Sequence, residues 1–277
     1  MSAAIYDLHS HSNASDGVLT PGQLVRRAHA RGVTALALTD HDTTAGLAEA
    51  RVVAAELGLR LIPGIELSAS FESHCLHVVG LNIDPSHPVL VDGVARQQDL
   101  RVERARKIAD KLARKGIDGA FQAVARAARG GEITRLHFAD FLVGVGRART
   151  QQDAFDYYLS KGKSAYVATQ WAGLAEVIGW INAAGGLAVL AHPLRYKLSN
   201  KWINKALAAF KVAGGQGVEV VTGRASGDDI RFSQELATKH QLLASVGSDF
   251  HAPENQYLEL GRLAPLPVGA QPIWELF

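Results

Sequence analysis

Of the eleven histidines in this 277-residue chain, most of the informative ones fall in four short clusters beside acids. The first is Asp7-Leu8-His9-Ser10-His11-Ser12, with Asp16 a few residues on; the second is Thr39-Asp40-His41-Asp42. The third is Ala191-His192-Pro193, and the fourth is Ser248-Asp249-Phe250-His251. Gly64-Ile65-Glu66 and His77 lie between the second and third. Residues at i and i+2 of a strand point to one face, so His9 with His11 can share one ion, and the spacing recurs at Asp249 and His251. Imidazoles and carboxylates without a thiolate suit Mn²⁺, Zn²⁺ or Fe²⁺. Six histidines (His9, His11, His41, His77, His192, His251) and three acids (Asp16, Glu66, Asp249) exceed the needs of one ion. They suggest two or three divalent ions, with a carboxylate such as Glu66 bridging. The remaining histidines read differently: His29 and His240 within helices, His87 in a loop, and His74 on a strand or hairpin.

Elements must bring these clusters together. Each cluster follows a short apolar run that reads as a strand, over 3–8, 33–38, 187–191 and 242–246. Further strands are expected over 60–71, 76–83 and 218–221. Helices are expected over 21–31, with Thr20 as N-cap before Pro21, over 44–57 ended by Gly58, and over 174–184, 201–213 and 228–240. Strands alternating with helices argue for parallel β/α units, and six or seven of them favour a closed or distorted barrel. Strand C-termini converge on one mouth of a barrel, so clusters far apart in sequence can share a site.

The alternation stops between residues 86 and 166, where helical segments over 97–115, 121–128, 135–143 and 152–160 follow one another without strands. That block reads as an inserted helical subdomain, leaving 1–85 and 167–277 for the barrel. No Gly-rich phosphate loop and no G-x-S-x-G elbow is present, which argues against nucleotide switches, dinucleotide redox chemistry and common acyl transfer. A formal charge of +2 predicts no polyanion binding by itself, and the single Cys75 excludes a disulfide framework or Cys-rich zinc module. No apolar run approaches the roughly 18–20 residues of a membrane span, and no signal-peptide pattern opens the chain. A cytoplasmic protein, with no membrane association and no obligate protein partner, is the expectation.

The motifs DLHSHS, TDHD, AHP and SDFH, in that order, resemble those of the PHP (polymerase and histidinol phosphatase) superfamily. Within it the chain is most similar to the branch of nucleoside 3′,5′-bisphosphate phosphatases and 5′-to-3′ exoribonucleases. The TRLHFA segment at 134–139, YLSKGKSAYV and AHPLRY carry that closer likeness. The resemblance implies an α/β fold, a distorted (β/α)7 barrel with a small helical insertion over the mouth, and a two- or three-metal phosphoesterase centre. It implies that His9 and His11 bind one ion with Glu66 and Asp249, and that Glu66 bridges to a second ion held by His77 and His192. Asp16, His41 and His251 would complete a third position. Asp7 and Asp40 match acids that flank ligands and are expected to orient imidazoles.

Clustered divalent ions, with Mn²⁺ the expected one, lower the pKa of water towards neutrality and supply a nucleophile without a strong side-chain base. Glu66 as bridge, with Asp249 and His251 beside the leaving oxygen, would be the catalytic groups. The expected activity is release of the 3′-phosphate from nucleoside 3′,5′-bisphosphates such as adenosine 3′,5′-bisphosphate. The alternatives are 5′-to-3′ trimming of short 5′-phosphorylated RNA and a cyclic phosphodiesterase. A second substrate phosphate calls for cations outside the metal cluster, for which Arg135, His137 and Arg195 are the candidates. Lys161 and Lys163 are weaker ones, and Phe250, Tyr196 and Trp171 could stack a base.

Overall fold

A computed structural model describes residues 4–128, 130–196, 198–254 and 257–277. Its seven-stranded sheet runs β1 (Tyr6–Asp7), β2 (Ala35–Leu38), β3 (Arg60–Phe71), β4 (His74–Leu81), β5 (Leu187–Leu190), β6 (Gly217–Thr222) and β7 (Leu243–Gly247), in sequence order. The circle closes beyond the strands themselves: Leu8 N donates to Val246 O at 3.0 Å and Asp249 N to His9 O at 2.9 Å. Neighbouring strands are parallel except around β4, which is antiparallel to both β3 and β5. A two-residue turn at Glu72 and Ser73 reverses the chain there, with Glu72 in the left-handed region at φ +51°. This hairpin is the distortion in the barrel, and it puts His77 opposite Ser68. The first expected strand shortens to Tyr6–Asp7, and residue 3 lies outside the described residues.

Side chains alternate between the barrel interior and its outer layer. Inside, Leu8, Ala37, Ile62, Val79, Leu81, Val189 and Ala191 form one buried cluster with Ile273. Ile273 comes from a C-terminal turn (Ile273–Leu276) that plugs the interior, and the next residue, Trp274, stacks on Tyr6 at 4.4 Å. Outside, Leu36 and Leu38 pack on α1 (Pro21–Ala30) and α2 (Leu47–Leu57). Thr20 and Gln23 form a capping box on α1, and Gly58, at φ +65°, ends α2.

The helical insertion opens with α3 (Pro88–Ala113), which starts nine residues before the helix expected at 97. Pro88 obscured that start, although proline is well placed in a first turn. Gly93 obscured it too. A Cβ on Gly93 would lie 2.5 Å from the Trp180 ring, so this glycine lets α3 press onto the barrel's outer helix. Next come α4 (Ala120–Ala127), α5 (Arg135–Gly144) and α6 (Gln151–Ala154), the last continued by a π turn over Phe155–Leu159. Ile108, Leu112, Val124, Phe138, Leu142 and Leu159 give this segment a core of its own, whereas Leu90 at the start of α3 belongs to the barrel's. The sheet's outer layer is completed by α7 (Leu174–Ala183), α8 (Asn200–Val212) and α9 (Gly227–Lys239).

Candidate metal centre

The mouth of the barrel gathers the residues that the clusters singled out. His9 and His11 leave the end of β1, His41 follows β2, Glu66 and His77 face inward from the hairpin, His192 follows β5, and Asp249 and His251 follow β7. Glu66 is the hub. Its Oε1 lies 3.4 Å from His9 Nε2, 3.0 Å from His77 Nδ1 and 3.2 Å from His192 Nε2. Its Oε2 lies 2.8 Å from His41 Nδ1 and 3.5 Å from His11 Nε2. His9 Nε2 and His11 Nε2 face each other at 3.0 Å, with Asp249 Oδ1 at 3.6 and 3.2 Å from them. Asp16 stands 3.4 Å from His251 Nε2 and 3.8 Å from His41 Nε2.

These spacings fit divalent ions. Donors about 2.1 Å from one ion sit about 3.0–3.4 Å apart for octahedral or tetrahedral angles, and most of the edges above have that length. Moreover, His11 Nδ1 and His192 Nδ1 are buried without a hydrogen-bond partner among the described residues, and His41 Nδ1 and Glu66 Oε2, though 2.8 Å apart, are not aligned as a hydrogen bond. Donor sets close enough to hold an ion are His11, Asp16, His41 and His251; His9, His11 and Glu66; and His41, Glu66 and His77. His11 and His41 therefore stand between positions, each within reach of more than the one ion the motif match gave it.

Electrostatics keep the donors poised. Burial opposes charge on His77, but Glu66 beside it lifts the imidazole to about 10. His251 is likewise raised to about 9 against burial by Asp16 and Asp249. Burial also disfavours charge on His9, yet Glu219 and Glu66 hold it well above its ordinary value. Burial and repulsion from His251 push His11 down to about 3, which leaves it neutral. Despite their burial, the cationic imidazoles around Glu66, Asp16 and Asp249 hold all three carboxyls well below the usual range.

The surroundings correct several expectations. Among the described residues no hydrogen bond or ion pair joins Asp7 or Asp40 to an imidazole; they tie loops together. Asp7 accepts from Ser248 N at 2.8 Å and Gly261 N at 2.9 Å. Asp40 accepts from Ser12 N at 2.7 Å, Ser12 Oγ at 2.6 Å and Ser15 Oγ at 2.7 Å. Imidazole orientation falls instead to Glu219, which sequence reasoning passed over inside an apolar strand. Its Oε1 lies 2.7 Å from His9 Nδ1, and its Oε2 accepts from His192 N at 2.6 Å. That second contact helps hold His192 at φ +29°, a conformation that costs a non-glycine residue about 1–3 kcal/mol.

Arg195 pairs with Asp249 beside the candidate ligands and also lines the cavity over the mouth. Arg135 and His137 line the same cavity, which measures about 890 Å³. His137 Nδ1 accepts from Thr134 N at 3.1 Å and so caps α5. Phe250 is packed in the core at 0% exposure, and Tyr196 OH bonds Ala191 O at 3.0 Å and His77 N at 2.8 Å, so neither is free to stack a base. Trp171 lines the cavity, covered by Arg101 at 5.3 Å and Arg104 at 5.5 Å. Arg104, another residue unmarked by the sequence, extends into the same wall.

A closed barrel with nitrogen and oxygen donors converging on one mouth defines a divalent-metal hydrolase. The chain belongs to the PHP domain family, which it matches over residues 7–222. It is 47% identical over 277 residues to the 5′-3′ exoribonuclease Rnm of Escherichia coli, covering 99% of this chain and 94% of the relative. Identity to the 3′,5′-nucleoside bisphosphate phosphatase of Chromobacterium violaceum is 45% over 269 residues, covering 97% of this chain and 94% of that one. A solved C. violaceum structure, described as an amidohydrolase with bound sulfate and no metal, superposes with TM-score 0.93 at 44% identity, over 99% of this chain and 95% of that chain. A second, from Bifidobacterium adolescentis, superposes with TM-score 0.82 at 31% identity, over 99% of this chain and 95% of that chain. The chain is a phosphoric ester hydrolase of this family. Among the described residues no helix is long and apolar enough to cross a membrane.

Proposed function

We propose that this protein removes the 3′-phosphate from nucleoside 3′,5′-bisphosphates, with Mn²⁺ as its working ion. The observation that carries the reading is a pair of guanidinium groups on the cavity wall, Arg104 and Arg135. Neither pairs with a carboxylate among the described residues, and Arg104 Nε is buried without a partner. Burial and the repulsion of Arg135 and Arg101 pull Arg104 down to about 9. Two cations so crowded favour a dianion between them, and a second phosphate supplies it. Residues 86–166 act as the cap that contributes this wall.

In this reading His9, His11, Asp16, His41, Glu66, His77, His192, Asp249 and His251 hold the ions. When bound, these ions supply Lewis acidity and a water nucleophile at neutral pH. The chain's own work is to fix geometry. Glu219 keeps the His9 proton on Nδ1 and leaves Nε2 as a donor. Arg195 holds Asp249 in place, and the departing 3′-oxygen, leaving beside Asp249 and His251, takes its proton from solvent water. Arg104 and Arg135 fix the 5′-phosphate so that the 3′-phosphorus meets the nucleophile in line.

A second reading, 5′-to-3′ trimming of short 5′-phosphorylated RNA, is favoured by the relatives named exoribonucleases at 45–47% identity. The departing 3′-oxygen would be the same, and the attacked phosphorus would carry the next nucleotide's 5′-oxygen in place of one free phosphate oxygen. Phosphate release from adenosine 3′,5′-bisphosphate and from 3′-AMP, together with release of 5′-mononucleotides from a 5′-phosphorylated trinucleotide, all with Mn²⁺, tests both readings. Turnover of the bisphosphate to 5′-AMP, with 3′-AMP at least about 100-fold poorer in kcat/KM, is expected from the lost phosphate contacts. Equal rates on 3′-AMP and the bisphosphate would remove the two-phosphate reading.

A further inference from the structure

The last residue of the second cluster, Asp42, is not among the donors, although its motif neighbour His41 is. The backbone at Asp42 takes φ +50°, and its carboxylate turns from the mouth towards the insertion. There it is buried at 0% exposure and accepts from five donors on two other elements. From β3, Ser68 N lies at 2.8 Å and Ser68 Oγ at 3.0 Å. From α3, Arg101 Nε lies at 2.7 Å, Arg101 Nη2 at 2.6 Å and Gln97 Nε2 at 3.3 Å. Gln97 also bonds Ser68 O and accepts from Ala172 N at 3.3 Å, while Arg101 Nη2 reaches Ser68 Oγ at 3.2 Å. Trp171 covers the guanidinium, which is 4% exposed.

The pair lies one bond away from three candidate ligands. Asp42 N donates to Glu66 O at 2.9 Å, His41 precedes Asp42 in the chain, and Ser68 is the register partner of His77. A buried carboxylate with a left-handed backbone is costly unless its partners are fixed, so the seat of α3 and the course of residues 41–42 determine one another. We infer that Arg101, through Asp42, is a positioning residue that latches the helical insertion to the His41–Glu66–His77 side of the metal centre, so that ion retention depends on how α3 is seated. The inference rests on the metal-hydrolase reading above, but its main readout is ion binding, which needs no substrate.

The test compares R101M, R101K and L112A, the last being a lesion in the insertion's own core away from the pair. Mn²⁺ affinity is measured by competition with a fluorescent chelator, together with thermal midpoint, kcat and KM on adenosine 3′,5′-bisphosphate. R101M is expected to weaken Mn²⁺ at least tenfold and to lower kcat more than tenfold, with KM moving less than threefold. R101K should recover part of both, and L112A should lower the midpoint with Mn²⁺ affinity within twofold of the parent. Unchanged Mn²⁺ affinity in R101M overturns the inference. So does a loss in L112A that matches R101M, or a rise confined to KM, which would make Arg101 a substrate contact. Should R101M lack a cooperative unfolding transition, R101K decides: at least a threefold loss of Mn²⁺ affinity supports the latch, and a smaller one refutes it. If the parent protein binds Mn²⁺ but leaves the bisphosphate intact, the proposed substrate falls while the Mn²⁺ comparison still judges the latch.

Discussion

Replacing Glu219 by Gln should separate ion binding from folding at this centre. Two buried donors meet this carboxylate, His9 Nδ1–H at 2.7 Å and His192 N–H at 2.6 Å, one on each oxygen. A glutamine has the same shape but only one acceptor. With its oxygen towards His9, the His192 N–H faces an NH₂ group and goes unsatisfied, which costs about 1–3 kcal/mol. With its NH₂ towards His9, the imidazole must take the other tautomer, and a proton then occupies Nε2, the atom that faces Glu66 and His11. Either rotamer penalises the bound ion, and such outer partners are commonly worth about 10–100-fold in metal affinity. Apo E219Q should lose about 2–12 °C in Tm, at about 2–4 °C per kcal/mol for a chain of this size. Its Mn²⁺ affinity should fall by about one to two orders of magnitude. Chelator competition and scanning calorimetry on the same preparations measure both. Mn²⁺ affinity within twofold of the parent, with the expected fall in Tm, would refute the claim that Glu219 sets the His9 tautomer.

Further outcomes follow from the same geometry. R104M should raise KM for the bisphosphate about 10–100-fold, the worth of one or two charged hydrogen bonds, with a smaller effect on kcat; steady-state kinetics check it, and an unchanged KM would exclude Arg104 as a phosphate contact. Loading ions at pH 7.5 should release about two to three protons, because His77, His251 and His9 are held protonated in the empty site and must lose the proton to act as ligands. Titration in weak buffer would show this, and less than half a proton per chain would contradict it. The sign for the apo protein is opposite: imidazoles raised to about 9 at His251 and about 10 at His77 stabilise it fully below their ordinary 6.5. That stability is lost as pH rises through about 9 and 10, so the apo Tm should fall there while Mn²⁺ affinity climbs. Finally, G93A should destabilise the fold by about 1–3 kcal/mol through overpacking, since the new methyl would lie 2.5 Å from the Trp180 ring; denaturant unfolding measures it.

What could be read from the sequence, and what could not, follows physical lines. The donor clusters were legible because each is a polar break at the end of an apolar run, and a barrel leaves such breaks only one place to meet. His9, His11, His41, Glu66, His77, His192, Asp249 and His251 do meet there. The reversal of β4 was half legible: 60–71 and 76–83 read as strands with too little chain between them for a helix, yet the alternation elsewhere pointed to parallel units. The start of α3 was hidden because Pro88 and Gly93 are poor helix residues whose positions, a first turn and a ring contact, exist only in three dimensions.

Partners in space were the least visible. Glu219 had a signal, a lone acid at the centre of Gly217–Thr222, whose neighbours are apolar and buried, and nothing local satisfies it. Buried charge in a strand demands a partner, and the demand could have been noticed even though His9, 210 residues away, could not have been named. Asp42 and Arg101 are harder. Each belongs to a pattern with a ready local explanation, a metal motif for one and a charged helix for the other. Their pairing across 59 residues appears only once α3 is laid over the mouth. The same holds for the phosphate wall: Arg135 stood out because its segment carries a motif, whereas Arg104 sits among Arg101, Arg106 and Lys107, where a row of cations reads as a solvated face. Both line the cavity, and what separates them is pairing: Arg101 is held by Asp42, whereas Arg104 meets no carboxylate among the described residues. A charge therefore becomes informative when its helix is seated, and in this protein the residue that seats the helix lies one turn from the residue proposed to meet the substrate.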